Sequence, residues 1–146
     1  MLDTDSLPPL PCACASLRRA ARAVSQLYDD ELRPTGLNTA QFTLLKVLSG
    51  GGPVTQGRLG RLLAIDSTTL SRTLRPLEAR RWIAVEAGED RRERQIELTG
   101  TGRRVLTSAT PAWERAQHRL RSRLGAGAWT TLLAELSRVA GVARRV

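Results

Sequence analysis

Apolar residues recur along this chain mostly at helical spacing and, in one stretch, at strand spacing. From Ala15 to Leu32 the positions Leu17, Ala20, Ala21, Val24, Leu27, Tyr28 and Leu32 form a single stripe, which predicts an amphipathic helix. Arg33-Pro34-Thr35-Gly36 ends it. Thr39 stands where an N-cap is expected for a second helix running to about Leu48, with Phe42, Leu45 and Leu48 on one face, before Gly50-Gly51-Gly52-Pro53 breaks it. A short third helix follows the capping residue Thr55, with Leu59, Leu62 and Leu63 inward. Gly57 and Gly60 lie inside it, each costing about 1 kcal/mol relative to alanine; close approach of the next helix would explain them. Ala64-Ile65-Asp66 reads as a turn, and Asp66 or Ser67 as the cap of a fourth helix, Thr68 to about Trp82. Pro76 removes a backbone donor inside that helix and predicts a bend, with residues 67–75 facing outward and Leu77 anchoring the remainder.

The period then changes. Ile83-Ala84-Val85 and Ile96-Glu97-Leu98-Thr99 flank the charged turn Gly88-Glu89-Asp90-Arg91-Arg92-Glu93-Arg94, the signature of a β-hairpin. Helix, turn, helix and basic hairpin together form a winged helix-turn-helix. Beyond Thr99-Gly100-Thr101-Gly102 a long helix carries Val105, Leu106, Ala109, Ala112, Trp113, Ala116, Leu120 and Leu124, with Pro111 placed to kink it. After Gly125-Ala126-Gly127 a last helix carries Trp129, Leu132, Leu133, Leu136, Val139 and Ala143. The first helix and the last two have broad apolar faces that the small central unit cannot cover, which implies a two-fold dimer with intertwined terminal helices. The expected fold is mainly α with a small β-hairpin wing. The expected divisions are an extended arm at 1–11, helical dimerisation segments at 12–36 and 103–146, and a winged helix-turn-helix at 37–102.

Composition narrows the function. The 146 residues suffice for one domain, and a net charge of +9 favours a polyanionic partner. All the basic residues but Lys46 are arginine, whose forked donors suit phosphate and guanine. Residues 1–53 are balanced in charge; the excess lies mostly at 100–146, on the C-terminal helices. No apolar run approaches the ~20 residues needed to cross a bilayer, and the acidic Met1-Leu2-Asp3-Thr4-Asp5 lacks the basic start of a signal peptide. A cytoplasmic protein with reduced Cys12 and Cys14 is expected. Paired carboxylates in an apolar setting, a metal cluster and a Ser-His-Asp set are all missing from the pattern, so neither an enzyme, a metal site nor a cofactor is expected.

A helix entering the major groove presents its N-terminal residues to base edges. Here these are Ser67, Thr68, Thr69, Ser71, Arg72 and Arg75, with Arg72 or Arg75 suited to guanine. At the hairpin tip Arg92 suits a narrow minor groove, oriented by a salt bridge from Asp90, while Arg91 and Arg94 suit phosphate. The expected partner is double-stranded DNA carrying a near-palindromic operator. A basic architectural DNA-binding protein without an effector is the competing reading, marked by non-specific affinity.

These residues also carry a family resemblance. Asp90-Arg91-Arg92, Ile96, Leu98-Thr99 and Gly102-Arg103, with Gln56 to Glu78 and Thr39-Ala40-Gln41-Phe42, resemble the MarR family of bacterial transcription regulators over nearly the whole chain. Glu93 departs from the small or neutral residue that many members have there. The resemblance implies an obligate homodimer, usually a repressor of nearby genes relieved by a small ligand or an oxidant. Cys14 to Tyr28 is similar to the organic-hydroperoxide-sensing branch, although Arg18 and Phe42 stand where that branch has tyrosines and no resolving cysteine lies in the C-terminal helices. Cys14, near a helix start with Arg18 one turn on, sits where a thiolate is favoured. Three uses of Cys12 and Cys14 stay open: small apolar helix-start residues, a redox pair, or soft-metal ligation completed by the partner chain. Tyr28, Phe42 and Trp113 are either core residues or the lining of a mainly aliphatic ligand cleft.

Overall fold

The computed structural model describes residues 7–144. Most of the proposed arm at 1–11 thus lies outside the described residues, and 7–10 carry no regular structure. Helix α1 runs Ala13–Leu32, α2 Thr39–Ser49, α3 Gln56–Leu63 and α4 Ser67–Ala79; strands β2 Ile83–Ala87 and β3 Arg94–Leu98 precede α5 Gly100–Leu124 and α6 Ala126–Ala143. A third strand, β1 Val54–Thr55, escaped the sequence reading because two residues are too few to show a period. It pairs antiparallel with β3, which lies between β1 and β2, so that Ile96 faces Val54 on one side and Val85 on the other. None of the described helices is long and apolar enough to cross a membrane.

The caps explain the boundaries. Asn38, not Thr39, caps α2, through a reciprocal box in which Asn38 accepts from the Gln41 amide and Gln41 reaches back to the Asn38 amide. Thr39 instead bonds Asp29 of α1 through its backbone N–H at 2.7 Å and also through its hydroxyl. Helix α4 ends at Ala79, short of Trp82. Its last turn closes with Arg81 N–H on Glu78 C=O and Trp82 N–H on Leu77 C=O, both at 2.9 Å, a Schellman closure with Arg81 at φ 58° where glycine is usual. Pro76 lies within α4, three residues before this end.

The core is built from Leu32, Phe42, Leu44, Leu45, Leu59, Leu70, Leu77 and Ile96, all almost fully buried. It joins α1, α2, α3, α4 and β3 into one apolar centre, with Leu106, Ala109 and Ala112 of α5 packed on it. Leu62, expected inward, is exposed; Leu59 alone of the α3 leucines is fully buried. Gly60 has its reason: a Cβ there would meet Ile65 C=O at 3.0 Å and Leu70 Cδ2 at 3.5 Å, so the turn and α4 do come close. Gly57 faces only the flexible Arg61 side chain.

Helix α1 is tied to α5 along its second half. Glu31 accepts from Arg119 at 2.8 Å and Arg115 at 3.1 Å, and the Tyr28 hydroxyl donates to Gln117. The two guanidiniums, Arg119 foremost, hold the Glu31 carboxyl below the usual carboxylate range. Helix α6 is different. None of its residues is buried, and Leu133, Leu136, Val139 and Val142 are exposed. The expectation that its stripe faces inward is not met within one chain.

The first turn of α5 leaves no room for a side chain at Gly102. A Cβ on Gly102 would fall 2.0 Å from the Trp82 carbonyl oxygen and 2.7 Å from Leu98 Cδ1. Gly102→Ala is therefore expected to destabilise the fold by at least the ~1–3 kcal/mol typical of overpacking, read as a lowered urea midpoint. Gly51→Ala, which meets nothing within 4 Å, should leave it unchanged. Equal midpoints for the two variants would contradict this packing.

Candidate nucleic-acid interface

Helix α4 buries Leu70, Leu74 and Leu77 on one side. That choice turns Thr68, Ser71, Arg72 and Arg75 outward at helical spacing, and these four with Ser67 line one open depression of about 330 Å³. Five of the six α4 residues singled out from the sequence thus share a surface. Thr69 has another task. Asp66 caps α4 by accepting from the Thr69 backbone N–H at 2.9 Å and the Thr69 hydroxyl at 2.7 Å. These bonds, the backbone one first, hold the Asp66 carboxyl below its usual range.

The hairpin brings a second cationic group beside the start of α4. A cavity of about 370 Å³ is lined by Thr55, Gln56 and Gly57, Ser67 of α4, and Arg92, Glu93 and Arg94 of the wing. Asp90 shapes the loop differently from expectation. Its carboxylate accepts the Arg92 backbone N–H at 3.1 Å, and its carbonyl accepts Glu93 N–H at 2.8 Å, so it folds the turn instead of pairing with the Arg92 guanidinium. Arg94 lies 3.9 Å from Glu78 of α4, an exposed pair at the loop end of the hairpin. Arg72, Arg75, Arg91 and Arg92 have no carboxylate partner among the described residues. A helix with outward hydroxyls and free guanidiniums, beside a wing bearing another, is an arrangement suited to base edges and phosphates.

The comparisons with known proteins agree. The MarR family profile matches residues 35–93, the span from the turn after α1 through the wing loop. The solved transcriptional regulator MosR of M. tuberculosis, in complex with DNA, superposes with a TM-score of 0.84 at 35% identity, covering 92% of this chain and 97% of that one. The chain belongs to the MarR family. The HTH-type transcriptional regulator YwoH of Bacillus subtilis is 32% identical over 83 residues, which is 57% of this chain and spans only 61% of that relative's length. The HTH-type transcriptional repressor NicR of Pseudomonas putida is 26% identical over 118 residues, covering 80% of this chain and 75% of NicR. This fold and these relatives are those of DNA-binding transcription regulators, not of enzymes.

Phe42 is buried and stacks on the partly buried Trp113 with ring centroids 5.5 Å apart, and Tyr28 is buried beside α5. The depression between α1 and α5 is lined by Glu31, Pro111, Glu114, Arg115, His118 and Arg119, and by none of these three. His118 is exposed and lies 3.3 Å from the Ser122 hydroxyl. Cys12 occupies the N-cap position of α1 and Cys14 its first turn; both thiols are free and exposed. Cys14 and Tyr28 stand fourteen residues apart on one continuous helix, about 21 Å at 1.5 Å per residue, so within a chain they do not meet. No cluster of metal-ligating side chains occurs among the described residues.

The Asp66 cap has a pH signature. Its folded carboxyl titrates below the unfolded one, so its stabilisation is present above the usual aspartate range and is lost as pH falls through the folded value. Asp66→Ala should lower the urea midpoint at neutral pH, and the gap to the parent should close in acid. A gap that is constant with pH would show that the carboxylate charge plays no part in the cap.

Proposed function

We propose that this MarR-family chain acts as a homodimeric repressor. Each subunit lays α4 in the major groove of a near-palindromic operator and reaches the adjoining minor groove with Arg92. The observation that carries this reading is the outer face of α4, where Ser67, Thr68, Ser71, Arg72 and Arg75 share one depression beside the wing. Arg72 or Arg75 meets guanine; Arg91 and Arg94 meet phosphate, Arg94 exchanging its exposed contact with Glu78. Thr69 and Asp90 hold the helix start and the loop that present these groups. Dimerisation is supported by α6, an eighteen-residue helix without a buried residue, whose Leu133, Leu136 and Val139 need a second copy to cover them. Repression is supported by the likeness to NicR.

Relief by an oxidant is supported by the two free, exposed thiols. The Cys14 thiolate attacks an organic hydroperoxide, the O–O bond breaks and the alcohol leaves, forming a sulfenic acid. Cys12 or a thiol of the partner subunit then displaces water to form a disulfide. The hydroperoxide is reduced and two thiols are oxidised. A small ligand bound near α1 and α5 is the other route to release.

Fluorescence anisotropy with duplex DNA from upstream of the gene tests the reading. Tight, sequence-selective binding is expected, lost on stoichiometric organic hydroperoxide and retained by Cys14→Ser. Binding indifferent to oxidant would remove the thiol switch and leave the ligand route. Weak, sequence-blind binding would favour the architectural reading. Arg72→Ala should cost about 1–3 kcal/mol and relax preference at one base position. Arg92→Ala should weaken binding and lower the salt slope by about one, and full affinity in that variant would remove the wing from the interface.

A further inference from the structure

Gln56 was not among the residues the sequence marked for DNA contact, yet it touches one of them. It opens α3, one residue after the cap Thr55. From there its side-chain Nε2 crosses to α4 and donates to Ser71 Oγ at 2.8 Å. Both side chains are half-buried, between the wing cleft and the depression on the outer face of α4.

The bond decides what Ser71 offers. A serine hydroxyl has one proton and two acceptor positions. Helical hydroxyls elsewhere in the chain turn their proton back onto the preceding turn: Thr43 onto Thr39, Thr73 onto Thr69, Thr107 onto Arg103 and Thr110 onto Leu106. Ser71 makes no such bond among the described residues. With Gln56 N–H already directed at its oxygen, the Ser71 proton remains available to an acceptor outside the chain. Thr69, its neighbour, spends its proton on Asp66.

We propose that Gln56 is a positioning residue that sets Ser71 as a hydrogen-bond donor toward the DNA. The chain then requires an acceptor opposite Ser71: purine N7, guanine O6 or thymine O4 if the contact is a base edge, or a phosphate oxygen if it is the backbone. This inference rests on the DNA-reading role of α4 proposed above.

The test is selection of preferred sites from a randomised duplex pool, followed by anisotropy on single-base variants of the winning site. Ser71→Ala should lose preference at one base position, with a roughly threefold to tenfold drop on the best site, the worth of one neutral hydrogen bond. Gln56→Glu supplies only acceptors, so the Ser71 proton must turn inward and its oxygen faces the DNA. The same position should then lose its acceptor requirement or favour adenine N6 or cytosine N4. Glutamate in the first turn of a helix is favoured by the dipole, so this variant keeps its fold. The added charge weakens all sequences together, which separates it from a change of preference at one position. Combining Gln56→Glu with Ser71→Ala should produce no further change in preference. A loss in both single variants that is uniform over all base substitutions assigns the contact to phosphate. Unchanged preference in Gln56→Glu while Ser71→Ala flattens it would overturn the proposal, as would a silent Ser71→Ala. Failure of the unaltered protein to select any site would instead overturn the DNA-reading role itself.

Discussion

Helix α5 leaves the winged helix through a contact that admits no side chain. Gly102 packs under the Trp82 carbonyl, while Thr99, the cap of α5, accepts from Gly102 N–H at 3.0 Å and aims its own hydroxyl at the Arg81 and Trp82 carbonyls, 2.7 and 3.0 Å away. The end of α4, the last residue of β3 and the first turn of α5 are thereby one joint. Arg81 takes a left-handed conformation to enter it, a local strain that the surrounding hydrogen bonds offset. Since α5 leads to α6, the joint sets the angle between the outer face of α4 and the surface that a second subunit would cover. The Glu31–Arg115–Arg119 tie between α1 and α5 braces the same helix further along.

The apolar and polar requirements divide the molecule. Leucines from five helices and Ile96 of the central strand satisfy one core, and doing so turns the hydroxyls and arginines of α4 outward without further design. The wing follows the same logic. Ile96 is held from both sides by Val54 and Val85, and the hairpin beyond it is free to carry charge. Glu93 lines the cleft with Arg92 and Arg94 and tempers their charge there. What the core leaves uncovered is α6, and that omission is the strongest physical argument for a partner subunit.

Much of this was legible beforehand because it rests on local rules. The stripe of α1, the Gly-rich break after α2, the Thr55 cap and the hairpin all follow from period and capping chemistry. The misses have physical reasons too. Asn38 and Thr39 are both good caps, and only the Gln41 box and the pull of Asp29 on Thr39 decide between them. The end of α4 was overrun because a Schellman closure at an arginine bears no glycine to announce it. Asp90 and Arg92 suggested an ion pair, but at two-residue spacing in a tight turn the carboxylate meets the backbone N–H first. Gln56 was invisible as a partner of Ser71 because fifteen residues and a turn of three separate them, and no periodicity reports such a bond.

The central claim is that two copies of α4, fixed through α5 to a shared helical base, read two half-sites at one set spacing. Binding to a selected palindromic site should be compared with binding to the same site carrying about five extra base pairs at its centre, which rotates one half-site by half a helical turn. The account predicts that affinity for the lengthened site collapses to that of a single half-site. Equal affinity for both duplexes would contradict it.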